Sequence, residues 1–87
     1  MSRTRLLKFP TDYPIKVVGR ATDTLRANAD AIVLKHAPDL DVSRTTERRS
    51  ANGNFISISY VIRAVNQEQV VALTIELQAC DAVLLVI

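Results

Sequence analysis

The chain has 87 residues, of which 48% are hydrophobic and 23% charged, and its 11 basic and 9 acidic side chains leave a formal charge of +2. This length allows one domain with a modest core, and so small a charge does not by itself indicate a nucleic-acid or membrane partner. Because a single cysteine, Cys80, and a single histidine, His36, cannot form a disulfide or complete a zinc site, we expect no metal, no cofactor and a reducing, cytoplasmic setting.

Residues 1–14 show no sustained hydrophobic period and are predicted to form an N-terminal arm, followed by a single domain at 15–87. Leu6 and Leu7 are followed at once by a lysine, so the apolar segment of a signal peptide is not predicted here. Phe9 and Tyr13 each precede a proline, and we expect these two aromatic side chains to cover the core.

The first strand is predicted at 15–19, and the helix after it is expected to end at Lys35 or His36, before Pro38. Thr22 or Asp23 can cap this helix. A histidine in the last turn has an adequate structural role there, so His36 is not predicted to be catalytic. The buried stripe of the helix, spaced by four, three and four residues, is predicted to be Leu25, Ala29, Ile32 and His36.

Residues 40–50 alternate weakly in polarity and include three arginines, which predicts an edge strand whose charges oppose pairing with other chains. The register of this strand depends on the turn at 50–54. A two-residue Asn52-Gly53 loop would place Val42 opposite Arg63 on the open side of the sheet, whereas a longer loop would place it opposite Ile62. We favour the longer loop because it buries Val42.

The clearest pattern in the chain is the period-2 run that begins after Gly53. Every second position from 56 to 64 is apolar, whereas Ser57, Ser59 and Arg63 lie between those positions. This alternation predicts a central strand with one buried face and one open face.

A second helix is predicted after Asn66, which can cap it, with Gln69 three residues on as in a capping box. Its apolar stripe is expected to be Val70, Leu73 and Leu77. The last strand is predicted at 83–87. This strand and Ala82 form an apolar run far shorter than the roughly twenty residues of a membrane span.

The order of the predicted elements is therefore β-α-β-β-α-β. This is the split β-α-β order of the α+β ferredoxin-like fold. We expect an antiparallel four-stranded sheet, in the order 4-1-3-2, with both helices on one face.

Four short motifs resemble, in their order and spacing, the YbeD-like family of small bacterial proteins: Lys8-Phe9-Pro10, Lys16-Val17-Val18-Gly19, His36-Ala37-Pro38 and the hairpin at 50–58. The resemblance extends from residue 8 to residue 87. It implies a ferredoxin-like domain similar to the ACT-type regulatory domains that bind amino acids and pair through their sheets, and it supplies no catalytic residues. The positions that match the family pattern are Lys8, Phe9, Pro10, Lys16, Gly19, His36, Pro38, Ser50, Gly53, Asn54, Phe55 and Ser57.

The last strand is apolar on both of its faces, which a sheet with one wet face does not require. We therefore expect an apolar patch on the open face, which indicates an interface, and a homodimer is the simplest partner. The alternative is that the N-terminal arm covers the patch through Leu6, Leu7 and Phe9. The residues predicted to form the patch are Val18, Phe55, Val61, Leu84 and Val86.

The sequence thus favours a non-enzymatic regulatory or protein-interaction module, and the family resemblance implies that it takes a small ligand in the manner of ACT-like domains. A first alternative is single-stranded RNA binding on the open face through Phe55, Arg63 and Lys16, although one aromatic is thin support for base stacking. A second is an acylphosphatase-like enzyme that binds an anion at Gly19-Arg20 through Arg20, which Asp23 disfavours by its negative charge.

Overall fold

The computed structural model describes residues 8–87. The strands are β1 (Thr11–Arg20), β2 (Thr46–Arg49), β3 (Phe55–Ala64) and β4 (Val83–Val86), the helices are α1 (Leu25–His36) and α2 (Gln67–Gln78), and a 3-10 turn lies at Val42–Arg44. The strands form one antiparallel sheet in the order β2-β3-β1-β4. The predicted α+β ferredoxin-like fold and its strand order are confirmed.

The core lies between both helices and one face of the sheet. The even positions of β3 from Ile56 to Ala64 are at most 4% exposed, as the alternation predicted. Leu25, Ala29 and Val33 of α1 and Leu73 and Leu77 of α2 pack against this face. We call the other side of the sheet the open face, and its strand residues are Asp12, Pro14, Lys16, Val18, Arg20, Thr46, Arg48, Phe55, Ser57, Ser59, Val61, Arg63 and Leu85.

Strand β1 begins at Thr11, four residues before the predicted start, so residues 11–14 belong to the sheet and not to the arm. The prediction started the strand too late because residues 1–14 show no sustained hydrophobic period. Pro14 is unusual inside a strand, since a proline cannot donate to a strand ladder. The amide of Lys16 bonds to Ile87 at 3.0 Å, so Pro14, two residues earlier, directs its nitrogen to the same side of β1, where β4 does not reach. Within residues 8–87, the proline therefore removes no hydrogen bond from the sheet.

The predicted long-loop register of the hairpin is wrong. Thr46 pairs with Ser59 and Arg49 with Ile56, which is the register that a two-residue loop would impose. The loop nevertheless has four residues, because the Ser50 amide donates to the Phe55 carbonyl at 2.9 Å. Val42 is not buried: it lies in the 3-10 turn and is 66% exposed.

Helix α1 begins one residue after Thr24, not directly after Thr22 or Asp23 as predicted, and Thr24 makes no side-chain capping bond. The amides of Ala21 and Thr22 donate to the carbonyls of Asn54 and Arg20, so this segment is held in a turn before the helix can start. Its buried residues are spaced by four throughout, whereas the predicted stripe members Ile32 and His36 are half-buried.

The predicted cap of α2 is present. The Asn66 side chain accepts a hydrogen bond from the Gln69 amide at 2.8 Å, while the Gln69 side chain accepts from the Val65 amide at 2.6 Å. Within residues 8–87, neither helix combines the length and the apolar character that crossing a bilayer requires.

Candidate functional site

A bulge in β4 determines which apolar side chains reach the open face. Val86 pairs with Val17 and Val83 pairs with Gly19, and both of these β4 valines pack against the core. Leu85 pairs with Val18, and the register shifts there by one residue. The prediction that Val86 lies on the open face is therefore wrong, because the extra residue at the bulge reverses the alternation of β4.

Four large apolar side chains near the bulge are exposed to solvent: Leu84 by 49%, Leu85 by 50%, Ile87 by 68% and Phe55 by 41%. Ile87 and Lys16 exchange two backbone hydrogen bonds of 3.0 and 2.8 Å, which places Ile87 on the open face beside β1. We call this group, together with the half-buried Val18, the apolar patch. Its members are Val18, Phe55, Leu84, Leu85 and Ile87.

Three of the five predicted interface residues, Val18, Phe55 and Leu84, are brought together in the apolar patch. Val61 is half-buried on the open face but pairs with Pro14, about 20 Å along β3 from Phe55. Nothing in the sequence distinguishes Leu85 or Ile87 from their neighbours, because every residue from 83 to 87 is apolar and a bulge in such a run has no sequence signal.

The other half of the open face is polar. A depression of about 270 Å³ lies over β2, β3 and β1, and Glu47 also borders it. We call it the polar depression, and its members on the open face are Lys16, Thr46, Arg48, Ser57 and Ser59. Arg48 and Thr46 line this depression because of the observed hairpin register. In the predicted register both would face the core.

The strand residues of the open face carry a net positive charge. Its strands present Lys16, Arg20, Arg48 and Arg63, whereas the one acidic residue that they place there is Asp12, opposite Arg63. The other acidic residues of the chain lie in the helices, in the loops or, for Glu47, on the helix side of β2: Asp23, Asp30, Asp39, Asp41, Glu47, Glu68, Glu76 and Asp81. The near-neutral total charge therefore conceals a basic face.

The residues proposed for RNA binding are spread along the sheet. Phe55 and Arg63 lie at opposite ends of β3, about 26 Å apart, and Arg63 lies 3.5 Å from Asp12. Tyr13 and Tyr60 face the core, so within residues 8–87 the strands place no second aromatic beside Phe55 on the open face. The structure does not assemble a base-stacking platform.

At the acylphosphatase-like site predicted at Gly19-Arg20, the backbone amides of residues 20–22 are not free. The amides of Arg20, Ala21 and Thr22 donate to the carbonyls of Ala82, Asn54 and Arg20 at 2.8, 3.0 and 2.8 Å. A phosphate-binding loop needs backbone amides that point at the ligand. These three amides are already used, so the turn does not form an oxyanion cradle.

Of the remaining family-pattern positions, Gly53, Ser50, Asn54 and Phe9 have structural roles. Gly53 has a φ of 79°, and Asn52 accepts hydrogen bonds from Ser50 and from the Asn54 amide, which closes the hairpin loop. Phe9 packs against the core, whereas Leu6 and Leu7 lie outside the described residues. Lys8, Pro10 and Pro38 are exposed, and they lie before β1 or after α1.

His36 joins the two helices. Its Nε2 lies 2.7 Å from the Glu76 carboxylate, and the ammonium of Lys35 lies 3.1 Å from the same carboxylate. The bond to His36, followed by the bond to Lys35, holds the pKa of Glu76 below its usual value. Within residues 8–87 no three potential metal ligands are clustered. The contact of His36 with Glu76 links α1 to α2.

We expect a Glu76→Gln variant to show a weaker dependence of stability on pH in the acid range. A carboxylate with a lowered folded pKa binds its proton more readily in the unfolded chain, so it stabilises the fold above the unfolded pKa and ceases to do so as pH falls through the folded value. The stability advantage of the natural protein over the variant should therefore shrink as pH falls below about 4.3, the ordinary pKa of a glutamate in an unfolded chain. Urea unfolding followed by circular dichroism measures it.

Glu68→Gln is the matched control, because Glu68 is an exposed acid on the same helix that makes none of the ion pairs found within residues 8–87. It should lose stability in parallel with the natural protein. Equal acid sensitivity of the Glu76→Gln variant and the natural protein would contradict the role assigned to the carboxylate.

The sequence profile of a family described as "Protein of unknown function (DUF493)" matches residues 4–87. The chain belongs to this family. DUF493 relatives include a "UPF0250 protein" of Ectopseudomonas mendocina, 39% identical over 93% of this chain and 89% of the relative, and one of Shewanella loihica, 40% identical over 90% and 86%. These findings confirm the YbeD-like resemblance. The name of the relatives specifies no catalytic activity.

The DUF493 fold is shared with a solved ACT domain from the GTP pyrophosphokinase of Chlorobium tepidum. The crystal structure of that domain superposes with a TM-score of 0.66 at 19% identity, covering 88% of this chain and 97% of the domain. Its solution structure gives a TM-score of 0.68 at 15% identity, covering 87% and 84%. At this level of identity the similarity shows the fold alone.

Proposed function

We propose that this DUF493 protein is a non-enzymatic regulatory or protein-interaction module that associates through the open face of its sheet, first of all with a second copy of itself. The observation that carries the proposal is the apolar patch. Isolated exposed apolar side chains are common on protein surfaces, but several large ones gathered on one side of a sheet mark an interaction site.

The position of the patch supports association between copies. It lies where β4 forms one edge of the sheet, and self-association through one surface requires only that the surface be complementary to itself. The polar depression beside it leaves the rest of the open face hydrated, as at the rim of an interface. The fold shared with an ACT domain agrees with a regulatory role by analogy.

Light scattering across a dilution series tests the proposal. The natural protein should have twice the 9.6 kDa mass of one chain at high concentration and dissociate on dilution. Leu85→Asp should give a folded chain of single mass at all concentrations, because it places a charge in the centre of the patch. Circular dichroism verifies folding.

Ile75→Asp is the matched control: Ile75 is 61% exposed but lies on α2, away from the sheet. This variant should keep the natural mass. A natural protein that is monomeric throughout contradicts the homodimer, and a dimer lost in Ile75→Asp but kept in Leu85→Asp places the interface on the helices. A Leu6→Ser, Leu7→Ser variant that dimerises when the natural protein does not would show that the arm covers the patch.

A further inference from the structure

We infer that the polar depression is a binding site for a small anion that carries a phosphoryl group. The inference deepens the proposed regulatory function by naming the class of its ligand. It rests on residues that do not belong to the apolar patch, and the two surfaces meet where Ser57 pairs with Val18.

The strand register converges donors on this site. Thr46, Ser59 and Lys16 lie side by side on β2, β3 and β1, and Arg48 and Ser57 are paired in the next row. Neighbouring strands are about 4.8 Å apart, and side chains two residues along a strand are about 7 Å apart. The ammonium of Lys16 and the guanidinium of Arg48 can therefore reach over the two serines from opposite sides.

The two cations are not compensated by nearby acids. None of the ion pairs within residues 8–87 involves Lys16 or Arg48. Glu47 borders the depression, but its carboxylate accepts from Arg26 at 2.7 Å on the helix side, and Asp12 lies 3.3 Å from Arg44 and 3.5 Å from Arg63. An anion that enters the depression would meet two free positive charges.

The hydroxyl groups are also unused. Thr46, Ser57 and Ser59 make no side-chain hydrogen bond to another group within the described part of the chain, whereas Ser43 and Ser50 use their hydroxyls to close turns. Three neutral hydroxyl donors and two cations match a group of charge near −2 with three strong acceptor oxygens, which is a phosphoryl group. A carboxylate offers half the charge and fewer acceptors, so it satisfies this set less completely.

The site borders the surface proposed for association. Ser57, in the depression, pairs across the strands with Val18 of the apolar patch, and Val18 pairs in turn with Leu85. A bound phosphoryl group would change the charge and hydration immediately beside the patch. Ligand binding and association would then influence each other, which is the physical requirement for a regulatory module.

Titration with inorganic phosphate and pyrophosphate, followed by amide NMR shifts at constant ionic strength, tests the inference. Saturable shifts are expected at residues 46, 57 and 59. Lys16→Gln and Arg48→Gln should each weaken binding by roughly tenfold or more, because each removes a charge-assisted bond. Arg63→Gln removes the same charge about 13 Å farther along the sheet and should change the affinity less than about twofold.

Acetate that binds as tightly as phosphate overturns the phosphoryl assignment, and equal losses in Lys16→Gln, Arg48→Gln and Arg63→Gln overturn the site in favour of a diffuse positive field. A single-stranded RNA dodecamer that binds far more tightly than pyrophosphate, with a steep salt dependence shared by all the cations, overturns it in favour of a nucleic-acid surface. Repeating the titration on Leu85→Asp separates the two proposals. Phosphate binding by that monomeric variant supports the site whether or not the natural protein dimerises.

Discussion

A Gly19→Ala variant should lose about 2–3 kcal/mol of unfolding free energy. A Cβ atom at this position would lie 2.5 Å from the Ala82 carbonyl oxygen and 3.0 Å from Cδ1 of Leu25. The Ala82 carbonyl cannot move away freely, because it accepts a hydrogen bond of 2.8 Å from the Arg20 amide at the bulge. The methyl group must therefore displace the start of β4 or the first turn of α1.

Urea unfolding at one fixed protein concentration measures this loss, since association would otherwise change the apparent stability. Gly53→Asn is the control. Gly53 has a φ of 79° with nothing closer than 4.0 Å to its added Cβ, and asparagine tolerates that conformation, so the control should remain within about 1 kcal/mol of the natural protein. If the Gly19→Ala variant were as stable as the natural protein, this would show that the Ala82 carbonyl does not pack closely against Gly19.

The second large effect is expected at Asp30, whose carboxylate joins α1 to the centre of the sheet. It accepts from the Tyr60 hydroxyl at 2.6 Å and from the Arg26 Nε at 2.9 and 3.0 Å. Arg26 in turn donates to Glu47 of β2 at 2.7 Å. Tyr60 is fully buried, and burial together with the bond to Asp30 raises its pKa, so the hydroxyl remains a donor.

Asp30→Ala should therefore cost about 2–3 kcal/mol, because it leaves a buried hydroxyl without its acceptor and Arg26 without one partner. Tyr60→Phe should cost about 1.5–2 kcal/mol, since the remaining carboxylate keeps Arg26. The double variant should cost about 1 kcal/mol less than the sum, because either change removes the same bond. Urea unfolding of the four proteins completes the cycle, and additive losses would contradict a direct bond.

Arg26→Gln provides the comparison within the same network. Both of its ion pairs involve side chains that are at least a third exposed, so their loss should cost less than about 1 kcal/mol. A loss as large as that of Asp30→Ala would mean that the arginine, and not the tyrosine, is the principal partner of the carboxylate.

The sequence predicted correctly those parts of the fold in which buried and exposed positions alternate and so produce a regular hydrophobic pattern. The alternation of β3 identifies every core position from Ile56 to Ala64, because one face is fully buried and the other is not. The cap at Asn66 is equally local. Strand order follows from the order of the elements, which the ferredoxin-like connections restrict to few arrangements.

The features that were predicted wrongly lie in strands whose residues are all polar or all apolar, so that no such pattern exists. β2 is exposed along its whole length, so its sequence pattern could not select a register. The register was predicted instead from the assumption that Val42 is buried, and this assumption is wrong. β4 is apolar at every position, so a one-residue bulge did not show. These two features also determine the surfaces of the open face. Arg48 reaches the polar depression only in the observed register, and Leu85 reaches the apolar patch only because of the bulge.

The two edges of the sheet are unequal, and this sets a limit on assembly. β2 has four exposed residues, three of them charged, and such an edge opposes the addition of another strand. β4 carries only apolar side chains. If association through the open face also brings the two β4 edges together, the edges left outside are the charged β2 strands, and such a dimer offers no apolar edge to a further copy.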